Sequence, residues 1–591
     1  MNEKDNSKKR SIILLALSII SVFGIVIIWQ IIAPFMIDND NIYLKTIASG
    51  EMTGTPESHM YYMGAVSGGI ISFFYKLTGN GIPWFGFFIC ISFSYVMIIL
   101  LYKAMDLSQK IWQSIIAYII CNVIFISFFY QYFAKPQFTL ASGFSGAGAL
   151  LLLSLLDEKE RTKEYILKLL PFLALTAWSL GSRDKAFFMI IPFFGMVFVQ
   201  KFLDAKEKAN KKIFWVAALL FVLSIGFVFG INKVAYSSLE WKEFKRYTDA
   251  SEKLFDYEGF PDYDSHSDLY ADMGIKKSSY EAINQHYNII MDPSINGDNL
   301  TKLADIAKNE RIEKEVSKPE KMLNVLGTIF RYNFLEYQDR PINILVYLLY
   351  AFVFIAALVS QKYKVLRDIA FILVARMFDW IYLVWNGRFP FRVTQIIYIA
   401  EFVLLVAIII RYRLWEIERK KKEDKIINPV FLAMLLFVLA AAIRFGIPVM
   451  KKNYESVKSF RQMSVCFEEL EDYLENHSDN FYFFDMSHLY YMEELLSFEP
   501  AQYENYVYMG SWMPNSPWYN NKMREWGIDD PAKALLEKDN VYIVYQEVDF
   551  DTRDFLDYYF EEHYPGTSIE VVDTFVSSNG FKYEILKPKY N

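Results

Sequence analysis

Long apolar runs alternate with short polar segments through most of the chain. A membrane-crossing helix needs roughly 20 mostly apolar residues. Runs of that kind fall at 12–34, 84–102, 111–131, 138–156, 165–181, 186–203, 212–232, 341–360, 367–385, 393–411 and 427–449, so the pattern predicts about eleven spans. A further run at 60–78, "MYYMGAVSGGIISFFYKLT", is short, contains Gly64, Gly68 and Gly69, and has Lys76 near its end. Three polar stretches break the alternation, at 35–83, 233–340 and about 450–591.

Basic residues decide where 60–78 belongs, because cytoplasmic loops are enriched in Lys and Arg. If 60–78 does not cross, one side of the membrane collects Lys4, Lys8, Lys9, Arg10, Lys103, Lys110, Lys159, Arg161, Lys163, Lys201, Lys206, Lys208, Lys211, Lys212, Lys362, Lys364, Arg367 and the run "RYRLWEIERKKKEDK". Far fewer reach the short loops of the other side: Lys45, Lys76, Lys135, Arg183, Lys185, Arg388 and Arg392. Counting 60–78 as a span would invert every basic loop after the first. The sequence therefore predicts an inside N-terminus, an interfacial or re-entrant helix at 60–78 on the outer face, and an outside C-terminus.

The 233–340 block has helical pieces such as "SSYEAINQHYNII" and "LTKLADIAKNERIEKEV", separated by turn-forming "EGFPDYDSHSD" and "DPSINGD", and predicts an extracytoplasmic helical loop. The tail alternates short aromatic or β-branched runs, "NFYFFDM", "NYVYMGSW" and "NVYIVYQEV", with helical segments such as "FRQMSVCFEELEDYLENH", the signature of an α/β unit. The expected fold class is mainly α: a polytopic transmembrane helix bundle over 1–450 with an extracytoplasmic α/β domain over 451–591.

Composition agrees with that class. Of 591 residues 53% are hydrophobic, with 51 Phe and 41 Tyr, yet the mean hydropathy is only +0.15, because membrane and water must both be served. The net charge of −7 and the lack of a basic patch interleaved with aromatics exclude nucleic acid as a partner. Three cysteines, Cys90, Cys121 and Cys466, provide neither a disulfide framework nor a zinc spacing. The basic N-terminus precedes an apolar core too long for a cleaved signal peptide, which reads as an anchor. No nucleotide-binding glycine loop occurs.

Candidate chemistry lies at the predicted outer boundary. Asp38 and Asp40 follow the first span directly in "IDNDN". A carboxylate between water and low dielectric has a tunable basicity and can take a proton from an acceptor hydroxyl; the alternative is a solvated post-helix turn. Arg183 and Lys185 in "LGSRDKAFF", with Arg388 and Arg392 in "WNGRFPFRVTQ", place four cations in short outer loops, against the usual trend. Such cations can hold a lipid-linked phosphate or snorkel to headgroups. His59 and Trp385 are candidate substrate contacts. A divalent cation, Mg or Mn, held by the acids is left open. Arg376 and Asp379, spaced i,i+3, read as a neutralised intramembrane pair. The tail segment "YENYVYMGSWMPNSPWYNN" mixes aromatics and amides in a way that suits a sugar or a packed core.

Taken together, the acid motif at the exit of an outward-running first helix, the long first loop with its membrane-hugging helix and the arginines of the outer loops resemble the GT-C superfamily of integral membrane glycosyltransferases. "FDYEGFPDYD" and "WNGRFPFRV" also resemble segments of large multi-pass bacterial proteins of this kind. The acids here are separated by Asn39, unlike the adjacent acidic pair common in that family. The resemblance implies inverting transfer of a sugar from a polyprenyl-phosphate donor to a cell-surface glycan or lipid-linked acceptor, with Asp38 or Asp40 as base and the four cations on the phosphate. A polysaccharide polymerase or ligase using the histidines of the 233–340 loop, and a transporter or flippase of lipid-linked saccharide, are the competing expectations.

Overall fold

The computed structural model describes residues 3–108, 110–157, 162–205, 208–286, 291–313, 318–336, 338–418, 425–485, 492–498, 502–547 and 554–591. Of the residues used above, Lys159, Arg161, Lys206, the 419–424 part of the basic run, and the ends of the helical pieces at 287–290 and 314–316 lie outside the described residues. So do the side chains of Lys4, Lys8, Lys208 and His286.

Ten helices among the described residues are long and apolar enough to cross a membrane: Lys9–Ile32, Trp84–Asp106, Ile111–Ala134, Phe138–Leu155, Lys163–Ser182, Asp184–Asp204, Lys211–Ala235, Ile342–Val359, Phe391–Tyr412 and Pro429–Glu475. The chain is a multi-pass, mainly helical membrane protein. The expected span at 367–385 is also helical, as Lys364–Trp385. Five charges, Lys364, Arg367, Asp368, Arg376 and Asp379, keep it from matching the other ten in apolarity. Three of them, Asp368, Arg376 and Asp379, are buried.

Helix α1 (Glu3–Ile32) leads to strand β1 (Met36–Asp38), helix α2 (Asp40–Ser49), helix α3 (Ala65–Thr78) and helix α4 (Trp84–Asp106). The end of the bundle at which α1 finishes is the rim. Helix α3, within the 60–78 run, has 14 residues and so spans only about 21 Å at 1.5 Å per residue, too short for a ~30 Å hydrocarbon core. It buries Gly68, Ile71 and Tyr75 and leaves Ile70, Phe73 and Leu77 exposed. Gly68 and the N-cap residue Gly64 allow close approach. A Cβ on Gly68 would lie 2.2 Å from the Ser58 carbonyl oxygen, and one on Gly64 would meet the Asn232 amide at 2.7 Å.

The Phe138–Leu155 and Phe391–Tyr412 helices are almost wholly buried and form the centre of the bundle. Small residues in "ASGFSGAGA" let neighbours approach, as is usual between membrane helices. A side chain at Gly143 would collide with Ile396, and one at Gly146 with Ile190 and Ser179.

The expected pairing of Arg376 with Asp379 does not form. Arg376 instead reaches Glu401 on the Phe391–Tyr412 helix, and also Asn333 and, at 3.1 Å, the Tyr347 hydroxyl. Glu401 accepts a second hydrogen bond from Tyr350, 2.6 Å. Asp379 Oδ2 has no hydrogen-bond partner among the described residues. Charge compensation comes from the next helix, because a face that carries a buried cation must meet a partner across the packing interface.

Above the rim, helices Leu239–Lys253, Lys277–His286, Gly297–Glu313 and Lys318–Phe334 make up most of the 233–340 block. The helix Ile447–Glu475 runs without a break from the last membrane segment towards the C-terminal sheet. After the hairpin of β2 (Glu416–Glu418) and β3 (Lys425–Ile427) come β4 (Phe481–Phe484), β5 (Met492–Glu494), β6 (Tyr506–Tyr508), β7 (Val541–Gln546), β8 (Thr567–Val576) and β9 (Lys582–Tyr590). Five of these form one mixed sheet in the order β6-β4-β7-β9-β8, parallel from β6 to β7 and antiparallel from β7 to β8. Strand β5 leaves that sheet and pairs antiparallel with β1.

Candidate functional site

The first-loop acids sit where the chain changes from strand to helix. Asn39 takes a left-handed backbone, φ 46°, and α2 begins at Asp40 with its carboxylate in the first helical turn, where the helix dipole favours negative charge. Asn41 fixes this turn to the bundle. Its Oδ1 accepts from the Phe138 backbone N–H, 3.0 Å, at the start of a central helix, and its Nδ2 donates to the Asp38 carbonyl, 3.3 Å. An orphan N–H at a helix start is thereby satisfied by the acid motif itself. In the sequence Asn41 is only the last residue of "IDNDN", with no role of its own.

The two acids have different surroundings. Asp38 faces Lys135, Nζ to Oδ2 3.4 Å. Asp40 is half-buried, and its Oδ1 accepts from the Trp512 indole N–H at 3.0 Å. Burial pushes the Asp40 carboxyl above the usual range, while the positive charges of Arg392 and Arg183 and the Trp512 hydrogen bond pull it back. The two carboxylates thus turn to different partners. Among the described residues no group of three or more His, Cys, Asp or Glu is arranged to hold a metal ion.

The four predicted cations divide into two pairs. Arg183 lies over the Tyr62 ring, 4.5 Å to the centroid, with its Nη1 3.4 Å from the Tyr62 carbonyl. Two residues on, the Gly64 N–H donates to the Gly181 carbonyl, 2.6 Å. Arg392, in the first turn of the Phe391–Tyr412 helix, makes no ion pair or side-chain hydrogen bond among the described residues, and its charge acts on Asp40. Lys185 and Arg388 are bound elsewhere. Lys185 pairs with Glu252 and Arg388 with Asp256, both acids of the 233–340 block, and Arg388 also lies 5.5 Å from the Tyr257 ring.

The two predicted substrate contacts are tied into packing. Both ring nitrogens of His59 are engaged, by Glu57 at 2.7 Å and by the Ala235 carbonyl at 3.2 Å, and the ring stacks on Trp241, 5.3 Å. The Glu57 hydrogen bond raises the His59 pKa against the effect of burial. Burial also pushes Glu57 up, but hydrogen bonds from the His59 side chain and backbone outweigh it and bring Glu57 down to about 2. Trp385 carries the Lys321 ammonium over its ring at 4.6 Å. In the 233–340 block, His266 pairs with Glu310, 2.9 Å.

The C-terminal unit supplies the aromatic side of the site. Trp512 packs against Tyr62 at 4.6 Å, Tyr43 at 6.0 Å and Tyr61 at 6.3 Å. Trp518 donates to the His59 carbonyl, 2.9 Å. Asp339, a buried carboxylate just before the Ile342–Val359 helix, accepts from Thr394, 2.6 Å, and Gln395, 2.9 Å. The arrangement can therefore accept a proton at Asp40 and bind an anion at Arg183 and Arg392.

No family model matches the chain, and no curated protein matches it. Among solved structures, the chain is similar to the crystal structure of ArnT from Cupriavidus metallidurans bound to undecaprenyl phosphate, with 10% sequence identity and a TM-score of 0.38 over 97% of each chain.

Proposed function

We propose that this chain is a GT-C-type glycosyltransferase that moves a sugar from a polyprenyl-phosphate donor to a hydroxyl of a cell-surface glycan or lipid-linked acceptor, with inversion at the anomeric carbon. The observation that carries the reading is Asp40, a half-buried carboxylate at the rim under the combined charge of Arg183 and Arg392. A lipid-linked donor has an apolar tail that needs the bilayer and a sugar that needs water. Its reacting bond therefore lies at the height of such a rim.

In this reading the rim and the C-terminal unit are extracytoplasmic. Support comes from the basic residues at the opposite end of the bundle, Lys362, Arg367 and Arg411, where Lys362 donates to the Tyr412 carbonyl, 2.6 Å, and both arginines bind Asp204. The acceptor oxygen attacks the anomeric carbon as its proton passes to Asp40. The bond between that carbon and the phosphate oxygen breaks, and polyprenyl phosphate leaves with the electron pair. Arg183 and Arg392 neutralise the departing phosphate, the electrostatic contribution that usually dominates. A positioned base adds about 10²- to 10⁴-fold. Asp38, neutralised by Lys135, holds the β1 turn.

The test is transfer from radiolabelled polyprenyl-phosphate sugars in membranes carrying Asp40→Asn or Asp38→Asn. The reading expects Asp40→Asn to lose at least 10²-fold in kcat and Asp38→Asn to lose much less. Full activity of Asp40→Asn would overturn it.

A further inference from the structure

We infer that the C-terminal unit completes the site by inserting Trp512, whose indole N–H fixes the Asp40 carboxylate in its working orientation. This rests on the reading of Asp40 as base.

The geometry has two independent parts. The first is the contact itself. Trp512 is 9% exposed and donates to Asp40 Oδ1, while Asp40 Oδ2 carries no hydrogen bond among the described residues. One oxygen is thus held and the other is left for the acceptor proton. A carboxylate at the end of a short side chain otherwise rotates, and misplacement by 1 Å can cost about 10²-fold in rate.

The second is backbone strain. Six non-glycine residues among those described have a left-handed backbone, and four of them belong to the segments meeting here: Asn39 beside Asp40, Tyr61 against the Trp512 ring, and Ser511 and Asn515 on either side of Trp512. Such conformations persist only where the surroundings over-determine them, and they cluster at working sites. The 510–516 loop has that support from the Pro517–Glu525 helix that follows it. Trp518 is bonded to the first loop through the His59 carbonyl, and Tyr519 Oη donates to the Tyr508 carbonyl, 3.0 Å. Trp512 is a positioning residue. It touches the base, and no step of the transfer passes through its own atoms.

The experiment uses the full-length protein in membranes and a panel of radiolabelled polyprenyl-phosphate hexoses and pentoses. Trp512→Phe keeps a stacking ring. Replacement of Trp512 by 3-benzothienylalanine keeps the indole shape and removes only the N–H. Both are expected to lower kcat by about 10- to 100-fold with the donor KM unchanged. Both are also expected to move the acid limb of the pH–rate profile to higher pH, because a hydrogen bond that favours the charged carboxylate is gone. A wild-type rate and profile for the benzothienyl variant, beside an inactive Asp40→Asn, would overturn the positioning role and leave the base reading standing. Full transfer by Asp40→Asn, or no turnover of any donor by the wild type, would overturn both.

Discussion

Asp38 lies directly across from Met492 in the β1–β5 ladder, so the segment that leaves the first span is also a strand partner of the C-terminal unit. The same seam is closed by the Leu495 N–H to the Phe35 carbonyl, 2.8 Å, and by Lys45, which pairs with Glu493 and lies 3.6 Å from Glu51. Rim and tail are one structural unit, although more than 450 residues separate them in the chain.

Lys45→Met tests that seam. The substitution removes the cation that Glu493 and Glu51 share at a mostly buried junction, and breaking such a pair costs about 3–5 kcal/mol. The expected outcome is a lower Tm in detergent and earlier tryptic release of a C-terminal fragment. Lys45→Met with Glu493→Leu should recover part of the loss.

Arg183→Gln and Arg392→Gln should each lower kcat/KM for the lipid-linked donor by about 10- to 100-fold, the range of a lost hydrogen bond to a charged group. Lys185→Gln and Arg388→Gln should cost less, since those cations are already bound by Glu252 and Asp256. Initial rates against donor concentration check the order.

The same two arginine variants should change the pH dependence. Burial raises the Asp40 pKa and the arginine charges lower it. Removing either guanidinium lets it climb, so activity that needs the carboxylate falls off at a higher pH than in the wild type. A pH–rate profile with an unmoved acid limb would count against Asp40 as base.

Stability of the first-loop junction should peak in mildly acidic buffer. Glu57, lowered to about 2, contributes stability that is present above its ordinary pKa of 4.5 and is lost as pH falls towards 2. His59, raised above 6.5, contributes stability that is complete below 6.5 and is lost as pH rises through its folded-state value. Both contributions are present together between about 4.5 and 6.5. Thermal unfolding of wild type and His59→Gln across pH checks this, the variant losing the alkaline-side dependence.

Within the bundle, Arg376→Met leaves Glu401 buried without its cation and should lower stability by about 3–5 kcal/mol. Arg376→Met with Glu401→Leu removes both charges and should regain most of it. Detergent melting curves of the single and double variants measure the difference.

The amino-acid sequence by itself determined which segments enter the membrane, because hydrocarbon demands long apolar helices wherever it is crossed. It also determined that charged and aromatic candidates gather at helix ends, and that the tail mixes strands with helices. Asp40, Arg183 and Arg392 were legible one at a time, as charges in segments where lipid-facing residues would be apolar. Which two of the four cations act on Asp40 was not legible, since which faces of the central helices meet is set by packing at Gly143 and Gly146. For the same reason spacing suggested Asp379 for Arg376, and the adjoining helix supplied Glu401. Asn41 and Glu493 carried no signal of a role of their own, and Trp512 stood only as one aromatic of a segment that suits a sugar or a packed core alike. An amide, an acid and an indole read alike on a surface or in a site, and only the tertiary fold brings the tail against the first loop and gives each its partner.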